Sequence, residues 1–189
     1  YPQVLSYSKE LILERASFLE ALGVPDGRAA IGLNFWLLGS SEECLRKTAE
    51  WLRLQGLDVE GMLSSFPLIL SLSIEALSPK LEFLRGVVGL RDAEIHSPFL
   101  VYSLDAQLRP RWFYAMQRGV EQRYTFGSLL KVSDARFLKM ANSLPKGVHA
   151  TAEDVAAYKA HIASPEFRAY MNAQEHAIRT RGHRVNSRS

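Results

Sequence analysis

FPLILSLSIEALSPKLEFLRGVVG, residues 66–89, holds one complete structural unit. Pro67 suits a first helical turn, where its missing N–H has no partner to lose. Ile69 and Leu70 follow as an apolar pair, Ser73 and Glu75 mark a second helix start, and Leu77, Leu81 and Leu84 are spaced i, i+4, i+7. That spacing puts three leucines on one face of a helix. Gly89 then supplies a left-handed stop. The apolar stretch 66–72 is only seven residues long, far short of a membrane span.

On either side of this unit the same arrangement returns about every 31 residues. Its anchors are Pro2, Asn34, Pro67, Pro98 and Gly127, spaced by 32, 33, 31 and 29 residues. Apolar pairs follow each anchor: Val4 and Leu5, Trp36 and Leu37, Ile69 and Leu70, Leu100 and Val101, Leu129 and Leu130. Ten residues on stand Ile12, Cys44, Leu77, Leu108 and Phe137, and seventeen on stand Leu19, Trp51, Leu84, Ala115 and Leu144. Each unit reads as two helices. Ser8, Ser41, Ser73, Ser103 and Ser133 fall where a hydroxyl can accept an orphan N–H of the second helix, and a carboxylate follows within two residues. Gly23, Gly56, Gly89 and Gly119 close four of the units. A unit this short cannot bury its apolar face alone and must stack on its neighbours. The expected fold is an all-α solenoid of about five repeats over 1–144, two capping helices over 145–177 and a basic tail over 178–189.

The runs at 66–89 and at 97–119, SPFLVYSLDAQLRPRWFYAMQRG, resemble two consecutive repeats of the mitochondrial transcription termination factor (mTERF) family, and SLLKVSDARFLKM at 128–140 resembles that family's last repeat. The likeness is closest over 60–140. It implies a curved superhelix of three-element repeats in mitochondria or, alternatively, chloroplasts, with a basic concave groove for double-stranded nucleic acid. It also implies that Lys80 and Arg111, in the prolyl dipeptides Pro79-Lys80 and Pro110-Arg111, line that groove.

Charge divides the chain. Residues 1–104 carry nine Lys/Arg against thirteen Asp/Glu, whereas 105–189 carry fourteen against seven. One repeat column is cationic: thirteen residues past the anchors stand Arg15, Lys47, Lys80 and Arg111, with Met140 and the adjacent Lys139 in the fifth unit. Successive helices of a solenoid stack roughly 8–10 Å apart, so such a column would form a ladder suited to a phosphate backbone. The opposing reading is that long cationic stems flank the apolar stripe and reach out to water. The tail adds Arg179, Arg181, Arg184 and Arg188 with no acid among its last twelve residues, and so reads as an arm that orders on an anionic partner.

No catalytic, cofactor or metal site is expected. His96, His149, His161, His176 and His183 show no ligand spacing, and no phosphate loop or nucleophile elbow is present. The lone Cys44 lies on a core column and is expected to be buried. Thr151 with Asp154 forms a capping-box pattern, and Ser164-Pro165 opens a further helix. Tyr1 at the start is compatible either with removal of a targeting peptide or with trimmed numbering. Three functions fit these features. A non-enzymatic binder of structured RNA, as a component or assembly factor of a mitochondrial ribosome with ribosomal-protein neighbours, fits best, because the basic charge sits in a terminal extension. A double-stranded-DNA-binding regulator of organellar transcription is the second, and a protein-interaction scaffold is the third. Neither a membrane nor a small-molecule substrate is expected as a partner.

Overall fold

The computed structural model describes residues 7–186, with side chains described through Arg181. All regular structure among these residues is helical. The first anchor and apolar pair, Pro2, Val4 and Leu5, lie outside the described residues.

Two compact units divide the chain. The first comprises residues 1–81 and 90–101. Its helices are α1 (Lys9–Ala21), α2 (Gly27–Leu33), α3 (Trp36–Gly39), α4 (Glu42–Leu54), α5 (Val59–Ser65), most of α6 (Ile74–Phe83) and α7 (Ser97–Val101), with 3-10 turns at Pro67–Ser71 and Asp92–Glu94. Leu19, Leu37, Leu45, Leu52, Leu63, Ile69, Leu70 and Leu77 are fully buried and form its core. α2 lies hard against α1, where a β-carbon on Gly27 would meet the Ala16 carbonyl oxygen at 2.2 Å. Only glycine permits that approach. The buried Ser97 hydroxyl at the start of α7 donates to the Met62 carbonyl at 3.2 Å and lies 3.0 Å from the Ser65 hydroxyl.

The second unit comprises residues 82–89 and 102–189. It holds α8 (Arg109–Gln117), α9 (Phe126–Leu130), α10 (Asp134–Ala141), α11 (Ala152–Ala163) and α12 (Pro165–Asn186), with wider π turns at Leu84–Val88 and Leu104–Leu108. The turn at 104–108 explains how α8 tolerates Pro110. A proline ring inside a regular helix collides with the carbonyl four residues earlier. The Leu108 and Arg109 amides here bond five residues back, to Ser103 and Leu104, which widens the helix just ahead of the ring. Aromatic side chains build this core. Tyr158 of α11 stands edge-on to Tyr114 at 5.0 Å between centroids and 5.5 Å from Phe137, and Phe167 of α12 is buried beside Tyr114. Burial in this cluster pushes the Tyr158 phenol well above its usual range.

Expected caps match observed ones at every unit. The five serine hydroxyls accept from the amides of Leu11, Cys44, Ala76, Ala106 and Arg136. Gly23, Gly56, Gly89 and Gly119 all have positive φ. Thr151 and Asp154 bond reciprocally as a capping box, and the Ser164 hydroxyl accepts from Phe167 N.

Four expectations need correction. The first three repeats hold more than two helices, because a third short element follows the closing glycine: α2, α5 and the 3-10 turn at Asp92–Glu94. In the second repeat the register is one residue later than Asn34 implies. Leu37 and Leu38, not Trp36 and Leu37, are the buried pair, and Leu45, Ala49 and Leu52 form the stripe of α4. Cys44 is therefore exposed and Trp51 only half-buried. Finally, no break falls at 177/178, because α12 runs unbroken to Asn186. A helix already anchored through Phe167 and Met171 extends at little nucleation cost, and the Glu175–Arg179 ion pair supports the next turn at 2.9 Å.

Candidate nucleic-acid interface

With its anchor moved to Phe35, the second repeat places Thr48 rather than Lys47 in the thirteenth position. Lys47 is solvent-exposed and pairs with Glu43 one turn earlier, so it stands outside the column. The column then reads Arg15, Thr48, Lys80 and Arg111, and three of these side chains perform one task. A short helix ends in carbonyls that lack an intrahelical partner, and the first helices of the third, fourth and fifth repeats are short. Thr48 Oγ1, only 1 % exposed, donates to the Leu72 carbonyl at 3.1 Å. Lys80 Nζ donates to the Leu100 carbonyl at 2.7 Å. Arg111 Nη1 donates to the carbonyls of Leu129, Leu130 and Val132 at 2.9, 2.9 and 2.8 Å. Each side chain thus ties its own repeat to the end of the next repeat's first helix.

Arg111 is the most heavily bonded of them. Its Nη2 meets Asp134 Oδ1 at 2.7 Å and its guanidinium lies 5.1 Å from the Phe137 ring centroid. Partial burial of Asp134 opposes ionisation, but Arg111 and then Lys159, 3.4 Å away, outweigh it and hold the carboxyl below its usual range. Burial lowers the Lys80 ammonium from its usual value. Arg15 is buried as well, its guanidinium 5.7 Å from the Phe18 ring centroid. The column is therefore not a row of equivalent solvent-facing cations. Among the expected site residues of the helical tail, Arg179 pairs with Glu175, and Arg181 is exposed. The Arg184 side chain and all of Arg188 lie outside the described residues.

Lys139 stands in a different setting. It lines an open depression of about 860 Å³ with Arg123, Tyr124, Arg136, Ser143 and His149. None of the described residues lining it is acidic. Asp134, on the same helix as Arg136 and Lys139, is paired elsewhere, with Arg111 and Lys159. Arg123, Arg136 and His149 escaped the repeat reading because they occupy unrelated positions, and only the fold of the last repeat and the loop after it brings them together. The excess of Lys and Arg after residue 105 was the one signal available.

Helical repeats joined through main-chain carbonyls define a helical-repeat protein. The chain belongs to the mTERF family, whose family model matches residues 1–138. Members of that family are organellar, bind nucleic acids and are not enzymes. No curated protein sequence matches the chain.

Proposed function

We propose that this protein binds structured RNA in mitochondria, as a component or assembly factor of the mitochondrial ribosome. The observation that supports the reading is the segregation of charge between the two units. The first carries eight Lys/Arg against twelve Asp/Glu and the second fifteen against eight, counted over the complete sequence. A duplex-DNA regulator draws its affinity from many phosphate contacts along the array. Here the repeats of the first unit are acidic, and two of the column's three cations, Lys80 and Arg111, bond to carbonyls of the protein itself. An excess of cations in one unit suits local contact with a folded RNA, with protein neighbours holding the rest. Arg179 and Arg181 add cations along α12, and Arg184 and Arg188 follow them in the sequence. Crosslinking the native protein in organelles and sequencing the attached nucleic acid tests the reading. Recovery of ribosomal RNA is the expected result. Recovery of promoter-proximal or termination-site DNA would replace it with a role in transcription, and recovery of neither would leave a protein scaffold.

A further inference from the structure

The fifth repeat differs from the other four at one backbone position. Gly23, Gly56, Gly89 and Gly119 close four repeats in the left-handed conformation, and the residue at the matching turn after α10 is Ser143, with φ of +52°. It is the one non-glycine residue with positive φ among those described. An L side chain is disfavoured in that region, whereas glycine is at ease there. The strained residue lines the basic depression, and its hydroxyl lies 3.5 Å from Arg123 Nη1. Held strain of this kind marks sites where the side chain has a use.

The rest of the lining narrows the ligand. Arg123, Arg136 and Lys139 supply positive charge without a carboxylate to quench it. Ala135, Met140 and Leu144 add apolar surface, and Tyr124 a ring. Inorganic phosphate or a regular duplex backbone calls for the charge alone. A nucleotide whose base has left its helix needs both, because the base seeks an apolar or aromatic face while the phosphates seek cations. Hydroxyls at Ser143 and Ser133 are suited to a ribose. The volume falls within the roughly 300–1,000 Å³ of ordinary ligand pockets, a scale for one or a few nucleotides rather than a helix.

We propose that the depression formed by Arg123, Tyr124, Arg136, Lys139, Ser143 and His149 is a binding site for unpaired nucleotides of RNA. The inference rests on the RNA reading above and specifies which part of the RNA is held. The test is fluorescence anisotropy on the full chain with a short single-stranded RNA and the same sequence as a duplex, across a salt series. The wild-type chain is expected to prefer the single strand. Replacing Arg136 and Lys139 together by Gln should reduce its log–log salt slope by about 1.4, at 0.7 per neutralised phosphate. Ser143→Gly should raise the melting temperature while weakening single-strand binding, a pairing that a purely structural serine would not produce. Equal or tighter binding of the duplex, or unchanged single-strand binding in both variants, would overturn the site while leaving RNA recognition by other surfaces intact. Failure of the wild-type chain to bind either RNA would instead overturn the RNA reading itself.

Discussion

The third and fourth repeats and the fifth use cationic side chains in opposite ways. Lys80 and Arg111 turn inward onto main-chain carbonyls of the repeat that follows them. In the fifth repeat the equivalent residue is Met140, with no further repeat to tie, and the neighbouring Lys139 faces an acid-free depression with Arg123 and Arg136. A cation recurring at one place in a repeat is thus first a statement about how repeats are joined. Its availability to a ligand is decided by whether a carbonyl end lies within reach.

The largest effect separating the two uses should come from Arg111→Ala. It would take their shared donor from the carbonyls of Leu129, Leu130 and Val132 and leave Asp134 only the longer pairing with Lys159, at a cost of about 3–5 kcal/mol in chemical denaturation. Lys80→Met keeps the apolar stem and removes one charged hydrogen bond. The expected loss is about 1.5–3 kcal/mol, and a loss near zero would show that this tie contributes nothing. Thr48→Val, nearly isosteric, should cost about 1 kcal/mol because the Leu72 carbonyl loses its donor. The adjacent Lys47→Ala should stay within about 0.5 kcal/mol, as for an ordinary exposed residue. Equal effects at 47 and 48 would undo the one-residue correction of register.

Acid should reveal the same network. The folded-state pKa of Asp134 is depressed, so its stabilisation is complete above the unfolded-state value of about 3.9 and is lost as pH falls through the folded-state value. Asp134→Asn should therefore lower stability at neutral pH and reduce the further loss below about pH 4. An unchanged acid slope in urea titrations would show that Arg111 is held by the carbonyls alone.

Much of the fold was legible in the sequence because caps are local. A serine hydroxyl, an acidic first turn and a closing glycine act within a few residues, and all five serines and all four glycines behave as read. The second repeat misled because Phe35-Trp36-Leu37-Leu38 offers two overlapping apolar pairs, and only packing selects Leu37 with Leu38 and leaves Trp36 64 % exposed. The third elements are short and carry too few apolar residues to show a period. The column of cations was visible, but the direction of its side chains was not: a carbonyl some 20 residues away decides it, as Leu100 does for Lys80 and Leu129 for Arg111. The depression was illegible for the complementary reason, since Arg123, Arg136 and His149 share no period. Ser143 left no trace either, because it stands sixteen residues past Gly127 whereas the closing glycines stand 21 or 22 past their anchors, and only the early end of α10 brings it to the matching turn.

If the last repeat offers its cations to RNA while the column ties repeats together, two folded variants should part company in the salt dependence of RNA affinity. One is Lys80→Met, and the other is the triple replacement of Arg123, Arg136 and Lys139 by Gln. Lys80→Met should keep the wild-type slope, and the triple variant should show a slope shallower by about 0.7–0.9 for every phosphate it no longer neutralises. A shallower slope for Lys80→Met together with a wild-type slope for the triple variant would contradict this division of labour.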